Sequence, residues 1–251
     1  MRLFLFIAFI SFSVLGFSQT NLPYKVGEHA VYKLFFGAIN VGYADLEVKE
    51  IISVNNKPSF HIIGKGRTAP FFDLVFKVRD VYETFIDTST LLPVVFNREI
   101  REGRYSKSQH YNFNHSNDYV VTKDSVFNIP IQTQDMLSAF FYARTFSMDS
   151  VINEGSFYVP IFMDDENYFL EIKYLKNEII ETKWGKVDCM VFQPKMQEGR
   201  IFEDGEEMKI WISDDKNHLL LRVETKIWTG LIKAVLQEYK HVKHPLSIIE
   251  E

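Results

Sequence analysis

Apolar and polar residues alternate one by one along most of the chain, the period of strands that bury a single face. The cleanest case is residues 40–52, where Ala44, Leu46 and Val48 fall on one side and Asp45, Glu47 and Lys49 on the other. Asn55-Asn56 then reads as a tight turn and 59–67 as the returning strand of a hairpin. The same alternation predicts strands at 29–36, 78–86, 118–123 and 125–129, and a second hairpin of 92–101 with 104–113 about Glu102-Gly103. Beyond residue 155 it predicts a meander. Its strands are 156–163, 168–175, 178–184, 186–193, 208–213 and 219–228, with Asp164-Asp165-Glu166, Gly185, Asp204-Gly205 and Asp214-Asp215 at turns. Residues 231–239 fit helical spacing as well, but Ile232, Ala234 and Leu236 alternate with their neighbours directly after Gly230, so a strand is preferred.

Two stretches break this period. In 133–147, Met136, Leu137, Phe140, Phe141, Ala143 and Phe146 recur at helical spacing, and Thr133 and Asp135 supply acceptors at the start. Pro70 suits the first position of a short helix over 70–76, whose Phe71, Phe72, Val75 and Phe76 form a second aromatic cluster. The expected fold is mainly β: a single curved antiparallel sheet or partly open barrel wrapped on one central amphipathic helix, about 133–147, with the short helix beside it. No repeat, low-complexity tract or Pro-rich linker divides the chain, so one domain over 19–251 is expected.

The first eighteen residues read as a signal peptide. Arg2 precedes an apolar run over 3–15, and Gly16, Phe17 and Ser18 end it. The run is too short to span a bilayer, which needs about 20 apolar residues. No cysteine follows it, which argues against a lipid anchor, and the implied address is exported, periplasmic or secreted. The whole chain carries 28 basic and 33 acidic side chains, a net charge of -5, and removing Arg2 makes it -6. That balance argues against nucleic acid and against anionic membrane surfaces.

The chemistry-bearing patterns are few. Cys189 is the one cysteine, so no intramolecular disulfide forms, and its place between Val187 and Val191 suits a small buried strand residue. The sequence contains no G-x-S-x-G, H-E-x-x-H or C-x-x-C, and GKGRT at 64–68 lacks phosphate-loop spacing. The acidic groups at 164–166 and 203–207 read as hairpin tips, and His241 and His244 would share a metal only on a helix. No cofactor or metal is therefore expected. Asp80 stands out, because it falls on the apolar side of its strand with Val78, Tyr82 and Ile86 and must be paired or functional. Arg98, Arg101, Arg104 and Lys107 make the second hairpin basic, either to hold an anionic headgroup or as a solvated edge that resists aggregation.

The chain resembles the bacterial exported family catalogued as domain of unknown function 3108. The resemblance rests on Val26-Gly27-Glu28 with Tyr32, Phe36-Gly37, Gly42 and Ala44, Val78-Arg79-Asp80, Leu92-Pro93 and Glu102-Gly103. It continues through the run from Asp135 to Arg144 and Lys209 with Trp211-Ile212-Ser213-Asp214, whereas Leu220 stands where the family favours proline. Membership implies an exported, mainly antiparallel β protein and brings no established activity.

Three function classes follow. One is a binding or carrier protein for an apolar or lipid-like ligand, with candidate contacts at Phe71, Phe72, Phe76, Asp80, Phe140, Phe141, Arg98, Arg101 and Arg104. A second is a structural or assembly protein that binds an envelope partner. The third is a hydrolase built on Asp80 or another buried carboxylate. The carrier carries a size requirement: a twelve-carbon chain gains roughly 10 kcal/mol on burial against about 4 to 15 for association, so it needs an enclosing cavity above about 300 Å³.

Overall fold

Period-two alternation yields fifteen strands in one antiparallel sheet, in a computed structural model that describes residues 22–196, 207–227 and 230–249. The expected leader with its cleavage point and the Asp204-Gly205 turn lie outside those residues. The first run is β1 (His29–Phe36), β2 (Ile39–Val54), β3 (Lys57–Thr68), β4 (Arg79–Asp87), β5 (Pro93–Glu102), β6 (Tyr105–Asn114), β7 (Tyr119–Val121) and β8 (Val126–Asn128). The second is β9 (Ser156–Met163), β10 (Glu166–Thr182), β11 (Gly185–Met196), β12 (Glu207–Ser213), β13 (Leu220–Ile227), β14 (Gly230–Lys240) and the short β15 (Ile248–Ile249). Two helices stand between the runs, α1 (Ser138–Ala143) and α2 (Met148–Glu154).

Each run is a meander, and the pairing of β1 with β14 joins them, so β8 and β9 are the two ends of the path. The sheet curls without closing into a barrel. Its ends meet through side chains and one strap: the Phe162 ring packs on Tyr111 and Phe127, and Gln134 lies alongside β9. The Gln134 N–H donates to the Pro160 carbonyl at 2.8 Å and its own carbonyl accepts from Phe162 at 2.9 Å.

That strap explains a correction to the expected central helix. The apolar spacing of 133–147 suggests continuous helix, yet α1 covers six residues and α2 starts only at Met148. Gln134 has committed its backbone to β9, so helix begins after Asp135, whose Oδ1 accepts the Leu137 and Ser138 amides, each at 2.8 Å. The rod is shorter but sits where the pattern demands. Leu137, Phe140 and Phe141 pack with Tyr24, Val48, Phe60 and Ile62, while Ala139 and Phe140 pack with Val159, Met190 and Phe192. On β11, Cys189 and Val191 join one apolar cluster and Met190 and Phe192 another, so this strand is covered on both faces.

Three other expectations meet the structure. Residues 231–239 are strand, paired on both sides with β1 and β13. The strands expected at 168–175 and 178–184 are one, β10, with a bulge between Tyr174 and Lys176 that absorbs the change of register. The short helix of 70–76 reduces to a 3-10 turn at Phe72–Leu74 with no buried residue.

One buried ion pair fixes the helical segment against the sheet. Arg144 Nη1 lies 2.6 Å from Glu28 Oε1 and Nη2 lies 3.2 Å from Oε2, with both side chains almost wholly enclosed. Its Nε and Nη2 also donate to the Asn217 carbonyl at 3.2 and 2.8 Å, and its guanidinium stands over the Tyr24 and Phe141 rings. Asn217 in turn accepts the His244 amide at 2.8 Å, so four distant parts of the chain converge. Arg144→Met should destabilise the fold by about 3–5 kcal/mol, because Glu28 is left buried without a partner. Glu28→Leu/Arg144→Met should recover part of that loss, measured by urea denaturation midpoints.

Candidate functional site

An opening of about 220 Å³ lies between Ile180, Trp184, Leu221, Val235 and Leu236, short of the roughly 300 Å³ that a carrier needs. Beside α1, Phe140, Ala143, Met148, Phe157, Ile172 and Phe192 border an apolar cavity of about 40 Å³, far below the room that an enclosed acyl chain needs. Phe140 lines it, but Phe141 is core, edge-on to Tyr24 at 5.0 Å between centroids. A larger depression, about 400 Å³, is polar, with Arg144, Asp214, Asp215, Lys216, His218 and His244 around it. None of the nine candidate residues lines it.

Buried titratable groups serve the fold. Asp80 is almost enclosed and its Oδ1 accepts the Arg101 amide at 3.0 Å, which supplies the partner that its place on an apolar face required. Cys189 is enclosed, and burial pushes its thiol up to about 12, so it is no nucleophile. Asp135 is wholly buried. Burial pushes its carboxyl up to about 6 even though Thr84 donates to it at 2.6 Å and two amides at 2.8 Å. Among the described residues, no three His, Cys, Asp or Glu side chains come together to hold a metal ion.

The basic hairpin divides. Arg98 and Lys107 turn towards Asp164, with nitrogen to oxygen distances of 3.0 and 2.5 Å. Burial works against the Asp164 charge, but Lys107 and Arg98 outweigh it and hold the carboxyl below its usual range. The tip is in water at Asp165 and Glu166 as expected, but Asp164, its side chain 37% exposed, also bridges the two meanders. Sequence offered a faint signal, an acidic tip and a basic hairpin in one chain. Arg101 and Arg104 point instead to solvent.

Those two arginines stand beside the remaining aromatics. Because the strands alternate in direction, the β1–β2 turn, the β3–β4 connection and the β5–β6 turn all lie at one end of the sheet. The Gly103 amide donates to the Lys77 carbonyl at 2.8 Å, and Ala69 N–H donates to the Val41 carbonyl at 2.9 Å, tying the three loops together. Gly103 has φ +58°, and a Cβ there would sit 2.9 Å from the Phe76 ring, so glycine is needed for both the turn and the packing. Phe71, Leu74, Val75 and Phe76 are nevertheless 73, 86, 80 and 51% exposed, with Ile39 and Tyr105 also in water nearby. Phe72, edge-on to Phe71, is half-buried.

This exposed end is not a loose loop. Arg79 grips Asp73 in two-pronged fashion at 2.9 and 2.5 Å, and the Thr68 hydroxyl donates to the same carboxylate at 2.5 Å. Arg79 first, then Thr68, holds the Asp73 carboxyl down at about 2. The expectation that Phe71, Phe72 and Phe76 form core or pocket is therefore corrected: they crown an outward knob. PFFDLVF contains a single charged residue, so a one-turn element could never hide all its apolar sides.

The family model described as "Protein of unknown function (DUF3108)" matches residues 31–237. The chain belongs to that family. Among curated proteins nothing matches the sequence. A solved structure, a β-barrel-like protein of a domain of unknown function, DUF1849, from Brucella abortus, is similar at 10% identity and TM-score 0.56 over 86% of this chain and 97% of the other. That likeness concerns the fold alone. A candidate lipoprotein from Parabacteroides distasonis has 13% identity and TM-score 0.39, over 88% of this chain and 98% of its own. A candidate exported protein with a YmcC-like fold from Bacteroides fragilis has 11% and 0.33 over the same shares, and at these scores neither carries an argument. Among the described residues, no helix is long and apolar enough to cross a membrane.

Asp135 gives a pH test. Its folded pKa lies above the ordinary carboxylate value of 3.8, so the folded chain holds that proton more tightly than the unfolded one. Its stabilising contribution is complete below about pH 4 and is lost as pH rises through about 6. Asp135→Asn should therefore gain on wild type by at most about 3 kcal/mol between pH 4 and 7 in denaturation experiments. An unchanged difference across that range would sink the assignment.

Proposed function

We propose that the chain is an exported envelope protein that works without catalytic chemistry, by offering an external surface to an envelope partner. The observation that carries this reading is the apolar knob at Phe71, Leu74, Val75 and Phe76, held in water by the Asp73–Arg79 pair. Soluble surfaces scatter single apolar residues, but a rigid contiguous group of them marks a contact site. The leader expected over 1–18 supports export. A carrier is supported less well, because α1 and its flanks occupy the space that an apolar ligand would need. A hydrolase built on a buried carboxylate is supported less well, since Asp135 is sealed and Asp80 is nearly so and bonded to a backbone amide.

A photo-crosslinking residue placed at Leu74 should give adducts in the native envelope, while one at Ser116, exposed on a turn at the opposite end of the strands, should give none. Native mass spectrometry of the purified protein should show the bare chain. A lipid-sized mass held inside it would favour the carrier and overturn this reading, as would a Leu74 site that captures nothing.

A further inference from the structure

The charge around the knob says what it touches. The loop segments 67–79 and 101–104 carry Arg67, Lys77, Arg79, Arg101 and Arg104 against Asp73 and Glu102, so this end is cationic although the whole chain is -5. Net charge averages over a surface, whereas attraction is decided within a Debye length, about 10 Å in dilute salt. The expectation against anionic membranes therefore does not extend to this end. Arg101, Arg104 and Lys77 are all exposed, and the Gly103–Lys77 backbone bond fixes them beside the aromatic knob.

Resting on the surface reading above, we propose that this end of the sheet is a membrane-docking tip for anionic phospholipid: Phe71, Leu74, Val75 and Phe76 enter the acyl boundary while Lys77, Arg101 and Arg104 meet the phosphates. Apolar residues ringed by cations are the pattern of an interfacial anchor. The Asp73–Arg79 clamp and the Phe76–Gly103 packing hold the wedge in shape before it meets lipid, so little ordering is lost on contact. Strands running away from the tip would place the rest of the molecule above the bilayer.

The test is flotation of the leaderless full chain with phosphatidylcholine vesicles, with and without phosphatidylglycerol. Wild type should float with the anionic vesicles only, and less as salt rises. Lys77→Gln and Arg104→Gln should each weaken binding about fivefold. Phe71→Ser/Leu74→Ser should abolish it while leaving the thermal unfolding midpoint in place, because both side chains are already in water. The inference is overturned if wild type does not float, if the double serine variant floats as well as wild type, or if neutral vesicles serve equally. Should vesicles fail while the Leu74 crosslinker captures a protein, membrane docking is refuted and the surface reading survives.

Discussion

Burying a guanidinium commits a fold to one arrangement, and Arg144 does so here. Stripped of water, its charge must be met by Glu28 and its remaining N–H groups by the Asn217 carbonyl, or several kcal/mol are lost. Arg144 closes α1 and its two partners come from the lead-in to β1 and the turn before β13, so meeting the charge sets all three segments at once. The aromatic rings of Tyr24, Phe140 and Phe141 around it then close the space over which the sheet curls. This gives the motif residues Glu28 and Arg144 a physical reason to appear together despite 116 positions between them.

Packing closes most of the space beside α1 and leaves other apolar residues in water. The phenylalanines that suggest a greasy pocket serve contrasting ends, some as core around α1 and some as the knob between β3 and β4. Composition counts both alike. Only exposure separates them, and it puts Phe141 at 1% and Phe71 at 73%.

What the sequence could reveal follows from what side-chain patterns encode. Strand periodicity reports which face is buried, so the hairpins at Asn55-Asn56 and Glu102-Gly103, the meanders and the strand nature of 231–239 were legible. Backbone partnership is invisible to it: the spacing of 133–147 could not disclose that Gln134 was already paired with β9. A bulge is hidden for the same reason, hence two strands expected where β10 is continuous. Asp164 shows a third limit, because a turn residue looks solvated until the long-range geometry brings Arg98 and Lys107 onto it. Of the nine candidate residues, Phe71, Phe72, Phe76, Arg101 and Arg104 lie at one end of the sheet, whereas Phe140 and Phe141 lie on α1, a separation that strand and helix periodicity do not report.

The seam between β1 and β14 has a consequence for how the molecule is made. β1 borders β2 on one flank, available at once, and β14 on the other, which is synthesised only after β2 to β13. Until then a central strand behaves as an open edge, with unpaired amides and carbonyls that any other nascent strand could adopt. Chains cut short before residue 230 would keep that edge permanently and invite aggregation, while every hairpin of the first meander could still look native.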